Sequence, residues 1–390
     1  MNHYFADLHI HIGRTISGKP VKITASKSLT LTAIIEFASK QKGLDIIGII
    51  DCQSPEVLKE MEDLIHEGRM VEMSNGGMRM NDITILLGSE LEIYDETCKG
   101  PIHVLCYMPT LEAMNHFSIW LSDFMKNITL SSQRIYVSGR ELQEKVVELH
   151  GIFIPAHVFT PFKSLYGSGV RESLTEVFDY HKIDGIELGL SANTQMADQI
   201  KELHAFTFLT NSDAHSLEKI AREYQVMKLE EASFLEWKKA LHQEEGRAIV
   251  ANYGLDPKLG KYHETVCLAC YAPHSTLLNN CVNCGSKKWV KGVAARILEL
   301  KDNEDSPIRP PYIHQIPLEY IPGLGKKTLE KLLLYFSTEM QIIHEAPYSL
   351  LIDIVPKKVV EYIMAARTGE IVLQTGGGGK YGRVEGERKE

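Results

Sequence analysis

Metal-type side chains stand at the end of one apolar run after another in residues 1–260, and this pattern restricts what the chain can fold into. His9 and His11 lie two apart at the end of the run Tyr4–Ile10, so on a strand both point to one face. Asp213 and His215 repeat that spacing just after Phe206–Thr210. Between them, Asp51 follows Leu44–Ile50, Glu90 follows Ile83–Leu87 and His157 follows Ile152–Pro155. His103 fits less well, because it begins the run His103–Tyr107 instead of ending it. Gly185–Leu188 is a further strand candidate. Capped helices lie between several of these runs: Ser54-Pro55-Glu56 opens one, Ser138 and Glu141 have capping-box spacing, and Gly43 and Gly151 act as stops. Strands alternating with helices predict an α/β fold with a parallel sheet and right-handed crossovers, either barrel or open. In a barrel of parallel strands, the carboxyl ends form the face where active sites assemble.

Taken singly, each residue has a plainer explanation. A lone His beside a strand is usually a core or surface residue, Asp51 reads as a helix N-cap and Glu90 as a surface charge. Together they do not, because burying so many unpaired ionisable groups would be strongly disfavoured. Imidazole mixed with carboxylate suits Zn, Mn or Fe. The set His9, His11, Asp51, Glu90, His103, His157, Asp213 and His215 is too large for one tetrahedral ion, so a cluster of two or three is expected. Such clusters clamp the attacking and leaving oxygens of a phosphoryl transfer and lower the pKa of a bound water. No Ser-His-Asp set, Walker loop or dinucleotide glycine motif competes for this region.

The chain of 390 residues has room for two or three domains, and 44% hydrophobic with 24% charged residues is ordinary for a globular protein. No run reaches the roughly 20 apolar residues of a membrane span. Met1–Asp7 has neither a basic stretch nor an apolar core of a leader, and an odd total of 7 cysteines fits a reducing compartment. The expectation is a cytoplasmic protein with no membrane contact. The net charge of -9 is uneven: residues 1–260 hold 25 Lys+Arg against 36 Asp+Glu, and residues 261–390 hold 17 against 15. The acidity of the first part is of the kind that bound cations offset. The expected domains are 1–260, a cysteine module at 261–292, a helical region at 293–372 and a glycine-rich charged tail at 373–390, flexible on its own.

In the module, Cys267-x-x-Cys270 and Cys281-x-x-Cys284 form two knuckles. Four thiolates in this arrangement fit one structural zinc better than a redox pair. Gly285, Lys287, Lys288 and Trp289 follow as a basic-aromatic surface, while Cys98 and Cys106 read as ordinary buried thiols. Further on, Tyr320-Ile-Pro-Gly-Leu-Gly-Lys-Lys-Thr-Leu-Glu-Lys-Leu-Leu-Leu334 has the composition of a phosphate-gripping hairpin. Gly323 and Gly325 allow close backbone approach, a helix start offers free N–H groups, and Lys326 and Lys327 add charge. A plain helix–helix turn is the other reading. A hairpin of this kind holds phosphates without reading sequence.

The strings Asp7-Leu-His-Ile-His11, Gly48-Ile-Ile-Asp51, Gly88-Ser-Glu90, His103-Val-Leu, Pro155-Ala-His157 and Asn211-Ser-Asp213-Ala-His215 resemble the motifs of the PHP (polymerase and histidinol phosphatase) superfamily. That resemblance implies a distorted seven-stranded (β/α)7 barrel with a metal cluster that hydrolyses phosphoesters. The chain departs from it at Asp51-Cys52, where the family usually has Asp-His. The segment at 320–334 is similar to the helix-hairpin-helix motif. The order of barrel, four-cysteine module and hairpin, with Pro155-Ala-His-Val-Phe-Thr-Pro-Phe162, Gly185-Ile-Glu-Leu-Gly-Leu-Ser191 and the terminal Gly-Gly-Gly-Gly-Lys-Tyr-Gly382, resembles the endonuclease Q family over nearly the whole chain.

This resemblance implies a DNA repair endonuclease that cuts 5′ of deaminated bases (uracil, hypoxanthine, xanthine) and abasic sites with metal-activated water, leaving 3′-hydroxyl and 5′-phosphate ends. Asp213, Glu90, His9 and His11 are then the expected catalytic centre. The cofactors are two or three divalent ions (Zn, Mn or Mg) in the barrel and one structural zinc, and the partner is double- or single-stranded DNA. Selecting a damaged base requires extruding it from the stack. Phe159, Phe162 and Tyr166 follow a ligand-bearing strand and are expected either to wall that pocket or to be core or lid residues; Lys163 and Arg134 are candidate phosphate contacts. A PHP-type exonuclease or phosphatase is the alternative among enzymes, and a catalytically silent DNA-binding adaptor the alternative outside them. Nothing demands more than a monomer or points to a sliding clamp.

Overall fold

The computed structural model describes residues 1–260, 262–273 and 280–368, with the backbone of Leu373–Gln374 and Arg383–Val384. Those last two stretches pair antiparallel; the glycine run Gly376–Gly379 and the residues on to Gly382 lie outside the described residues.

Seven strands follow one another in a ring: β1 (Asn2–Ile10), β2 (Ile46–Ile49), β3 (Ile83–Ile93), β4 (Ile102–Met108), β5 (Ile152–Pro155), β6 (Ile186–Glu187) and β7 (Phe208–Leu209). β1, β2 and β3 pair in parallel, as do β6 and β7. β5 reaches β6 through Asp184 N–H to Phe153 O (3.0 Å) and Val158 N–H to Glu187 O (3.0 Å). Beyond β7 the chain closes on β1, with Ala214 N–H donating to His9 O (3.1 Å) and His11 N–H to Ala214 O (3.2 Å).

The all-parallel expectation needs one correction. β4 runs antiparallel to both β3 and β5. Residues 94–101 between β3 and β4 are too few for a crossover, which takes a dozen or more, so the two strands form a hairpin. This resolves the misfit of His103. On a reversed strand the first residues lie at the same rim as the last residues of the parallel strands. The hairpin also extends β3 to Ile93, placing Glu90 inside the strand instead of after it.

Ala6, Leu8, Ile46, Leu86, Leu105, Tyr107, Ile154 and Leu209 fill the ring, with Trp237 and Leu241 of the helix Phe234–Leu241 beneath them. Ile10 and Ile12 belong to the other, larger core. The side of β1 that faces the ring therefore switches after Leu8, where its register with β2 shifts between Asp7 and Ile10. Bulges re-aim side chains in this way, and this one turns His9 and His11 to the rim. The neighbours are built around it. Tyr107 Oη donates to Leu8 O at 2.5 Å, and a Cβ on Gly48 would stand 2.2 Å from that same oxygen.

Three strands without ligands extend the sheet from β1: β8 (Tyr224–Leu229), antiparallel to β1 and to β9 (Ala248–Gly254), and β10 (Tyr312–His314), parallel to β9. The region expected to be helical, 293–372, holds the helix Val293–Leu300 and the strand β10 before four further helices, Lys326–Phe336, Glu339–His344, Tyr348–Ile354 and Lys357–Thr368. The last four dock on the barrel through the buried pair Lys42–Glu339 (2.8 Å) and through His344 Nε2 against Tyr224 Oη (2.7 Å). Among the described residues no helix is long and apolar enough to cross a membrane.

Candidate metal centre and active site

Three groups of candidate ligand atoms meet at the rim: His9–His11–Glu90, His11–Asp213–His215 and Glu90–His103–His157. Within each group the atoms lie within 4.8 Å of one another, and Glu90 and His11 are each shared by two groups. Sharing of this kind is what a multi-ion cluster needs, since bridging ligands keep the ions close.

His9 at the end of β1 and His11 just after it are oriented alike. His9 Nδ1 meets Glu187 Oε1 at 2.9 Å, and His11 Nδ1 meets Asp51 Oδ2 at 3.2 Å. Each Nε2 is thereby left facing Glu90 and Asp213: 3.6 and 3.5 Å from His9, and 3.6 Å to both from His11. Both Nε2 atoms, and that of His103, are buried with no hydrogen-bond partner. An unpartnered buried ring nitrogen is costly, whereas a carboxylate on Nδ1 with a free Nε2 is the habit of metal-ligating histidine. The donor set fits divalent cations.

Asp51, expected as a ligand, stands outside all three groups. Its Oδ2 takes the Ile12 N–H at 2.7 Å as well as His11 Nδ1. Glu187 is its counterpart behind His9, holding also Asn211 Nδ2 (2.8 Å) and His157 N–H (2.9 Å). Sequence reasoning missed Glu187 as a site residue. The available signal was a carboxylate inside the apolar run Gly185–Leu188. It also missed Lys22, whose Nζ lies 3.1 Å from Glu90 Oε2 with a nearly buried side chain. Cys52 turns away: its Sγ donates to Ile49 O (3.1 Å), it packs in the large core, and burial pushes its thiol pKa far up.

The charges are tightly balanced. Burial raises the carboxyl pKa of Glu90, but His103 and Lys22 outweigh this and hold it well below the usual range. Asp213 is held down against burial by His9 and His11. Burial lowers the pKa of His9, and Glu187, Asp213 and Glu90 reverse this and lift it to about 10. Two site residues have left-handed backbone, Asp213 (φ 46) and His157 (φ 30). Arg222 braces the first, donating from Nε to Ser212 O (2.7 Å) and from Nη2 to Asp213 O (3.2 Å).

A cavity of about 420 Å³ opens beside the ligands, lined by Glu187, Asp213, Leu190, Ser191, Lys219 and Tyr262. A second, of about 320 Å³, lies against Lys22, His103, Ser132, Gln133 and Lys163. Of the aromatics weighed as pocket walls, Phe159 and Tyr166 are core residues, fully buried and stacked at 5.5 Å. Phe162 is half exposed and packs edge-on against Tyr262 at 5.8 Å, so the aromatic at the cavity is Tyr262. Lys163 pairs with Glu92 at 2.9 Å, and Arg134 lies over the rings of Tyr94 (4.7 Å) and Tyr136 (5.2 Å).

In the module, Sγ–Sγ distances are 3.6 Å for Cys267–Cys284 and 3.5 Å for Cys270–Cys281. Four sulfurs on one zinc stand about 3.8 Å apart, given Zn–S bonds of about 2.3 Å. In the hairpin, Gly323 has φ +83, Leu324 and Leu332 are buried, and Gly325, Lys326 and Lys327 are exposed at the start of the helix Lys326–Phe336.

No protein-family model matches the chain. The uncharacterized protein YqxK of Bacillus subtilis (strain 168) is 54% identical over 386 residues, covering 99% of this chain and 100% of that protein. The uncharacterized protein MJ0043 of Methanocaldococcus jannaschii is 38% identical over 252 residues, covering 58% of this chain and 31% of that larger protein. The crystal structure of the lesion-specific endonuclease PfuEndoQ from Pyrococcus furiosus matches with a TM-score of 0.85 and 32% identity, over 98% of this chain and 95% of that one. An Endonuclease Q complex with a 27-mer duplex bearing an abasic lesion at the active site matches equally well, with a TM-score of 0.85 over 98% and 96% of the two chains. With ligand groups, cysteine module and hairpin all within that full-length match, the chain belongs to the endonuclease Q family.

Proposed function

We propose that this chain is a DNA repair endonuclease that hydrolyses the phosphodiester bond 5′ of deaminated bases and abasic sites, leaving 3′-hydroxyl and 5′-phosphate ends. The reading rests on one observation: ligand groups that share Glu90 and His11 lie within a match to a lesion-specific endonuclease covering 98% of the chain. It is an enzyme of the metal-dependent phosphodiesterase class.

We assign His9, His11, Glu90, Asp213, His215, His103 and His157 to holding two or three divalent ions. Once bound, such ions supply Lewis acidity, activate water and neutralise developing negative charge. Glu187 and Asp51 orient His9 and His11 and fix their tautomers. Arg222 keeps Asp213 in its left-handed conformation, and Lys22 stabilises the Glu90 carboxylate. The larger cavity, within the range of about 300–1,000 Å³ usual for small-ligand sites, takes the extruded nucleotide between Leu190 and Tyr262. Gly325, Lys326 and Lys327 grip backbone phosphates away from the cut. The four thiols hold one zinc that folds the module.

The test is a nicking assay on labelled duplexes that differ at one position: normal base, uracil, hypoxanthine or abasic site. It is run with Mn, Zn or Mg, and with Asp213→Asn as the control. A single cut directly 5′ of the lesion, lost in the control, is expected. Laddering from an end without lesion preference means an exonuclease, and silence under every metal removes the catalytic reading.

A further inference from the structure

The rim carries, beside the ligands, a tight turn with an apolar residue at its apex. Ala25 N–H donates to Lys22 O (3.0 Å), which makes Ile23 and Thr24 the two corner residues. Such corners favour Gly, Pro, Asn, Asp and Ser, yet here both residues are β-branched. The side chain of Ile23 is 73% exposed.

The base of the turn is held firmly. Val21 N–H donates to Gly13 O (3.0 Å), Lys22 N–H to Ile12 O (2.8 Å), Ser26 N–H to His215 O (2.8 Å), and Ser131 N–H to Val21 O (3.0 Å). The residues on either side of the apex, Lys22 and Ser26, are thus tied by backbone bonds to the residue after His11 and to His215 itself. Lys22 runs inward to Glu90, while Thr24 lines both cavities and Ile23 the smaller one. The turn is a ridge between them.

We infer that Ile23 is a wedge: with DNA on this rim it enters the base stack beside the damaged nucleotide and occupies the space that nucleotide vacates. This rests on the reading of the chain as a lesion-directed endonuclease. An exposed isoleucine by itself needs no explanation. Ile23 differs in position, on a rigid turn at the mouths of two cavities that flank the ligands. Lys22, Lys163 and Lys219 stand around these cavities, paired with Glu90 (3.1 Å), Glu92 (2.9 Å) and Glu319 (2.7 Å). Extrusion breaks stacking on both sides of the slot, and an apolar side chain inserted there restores contact, as wedges do in DNA-bending proteins. Ile16 is a natural control. It is 66% exposed on the same loop, but its N–H donates to Glu60 on the outer helix Pro55–His66, and it lines neither cavity.

The experiment compares Ile23→Ala, Ile23→Leu and Ile16→Ala on two duplexes, one with uracil fully paired and one with uracil in an unpaired bubble. In the bubble the stack is already open, so the wedge has little to do. Ile23→Ala is expected to lower kcat/KM on the paired lesion by about tenfold, a barrier change of about 1.4 kcal/mol, and on the bubble by less than about twofold. Ile23→Leu should restore most of the paired rate, and Ile16→Ala should match wild type on both. Equal losses on the two substrates, or no loss on the paired one, overturn the wedge. If the wild-type protein cuts neither, the endonuclease reading fails first and the wedge with it.

Discussion

At the rim, the candidate ligand atoms come from β1, β3, β4 and the segments just after β1, β5 and β7, and further charged groups stand behind them: Glu187 behind His9, Asp51 behind His11 and Arg222 behind Asp213. In the cysteine module, four thiols come from two short loops within residues 267–284. They are framed by the pairing of Val266–Cys267 with Trp289–Val290 and by short turns such as Tyr271 N–H to Cys267 O (2.9 Å) and Cys281 N–H to Ser286 O (2.8 Å), and Leu268, Tyr271 and Val282 are exposed. The source of order differs accordingly. Barrel packing builds the rim site, and ions enter a framework already in place. Among its described residues the module buries only the side chains of Val266, Cys267, Cys281 and Val290, so ion binding is expected to supply its folding free energy.

The most forceful way to break this contrast is to damage each site once. Asp213→Asn is the better rim substitution, because asparagine tolerates φ 46 where alanine is strained. Cutting should fall by about 10²–10³-fold or more, as when one group of a preorganised electrostatic site is lost, with the melting temperature nearly unchanged. Cys281→Ser should do the reverse. Total bound zinc drops by one equivalent, limited proteolysis opens the chain near residues 262–292, and the barrel's near-UV circular dichroism stays as it was. If Asp213→Asn unfolded the barrel, or Cys281→Ser left the module protease-resistant, the two sites would not differ in the way argued.

Glu187→Gln and Asp51→Asn sharpen the comparison inside the rim. Each removes a carboxylate from a histidine Nδ1 while keeping its shape. Metal affinity, measured by competition with a chelator, should fall by about 10–100-fold in either variant. Glu187→Gln should lose more, because Glu187 also holds Asn211 and the His157 backbone.

The same contrast explains what was legible in the sequence. The four cysteines and the glycines of the hairpin are local motifs, so their spacing alone carried them. The rim ligands are far apart in sequence, yet strand periodicity and the repeated strand-end position made them visible. What failed to show was whatever depended on strand direction or on a side chain's neighbours. His103 looked misplaced until β4 proved reversed. Glu187 hid because a single carboxylate in an apolar run carries no spacing signal, and Lys22 because it lies in a polar loop. Phe159 and Tyr166 sit at a site-like position in sequence but face the core and stack on each other. β8 to β10 bear no ligands, and their roles come from pairing with β1 and with one another, which no local pattern announces.

Lys326→Ala tests the helical region against the rim. Removing one phosphate contact should weaken DNA binding a few-fold across sequences and reduce the salt slope by about 1, without changing lesion preference. A change in preference would tie the hairpin to base selection, and an unchanged slope would remove it from the interface.

A separate effect concerns the junction between the two regions. His344, at the end of the helix Glu339–His344, stacks on Phe5 of β1 at 4.9 Å and meets Tyr224 Oη of β8 at 2.7 Å, with Tyr253 of β9 edge-on at 5.0 Å. Burial among these rings, with Arg367 nearby, lowers its pKa from 6.5 to about 4. The unfolded chain thus binds a proton near pH 6.5 that the docked chain refuses until about pH 4. Docking stability from this group is therefore complete above pH 6.5 and declines as the pH falls toward 4. The full gap corresponds to roughly 3 kcal/mol, and partial solvent access trims this to about 1–2 kcal/mol. Carboxylates elsewhere titrate in the same window, so the measurement is a difference: urea midpoints of wild type and His344→Gln at pH 7 and pH 4.5. Wild type should lose more stability than the variant between the two values, because glutamine has no proton to gain. Equal losses would mean that the helical region docks on the barrel through Lys42–Glu339 and apolar contact, with His344 a bystander.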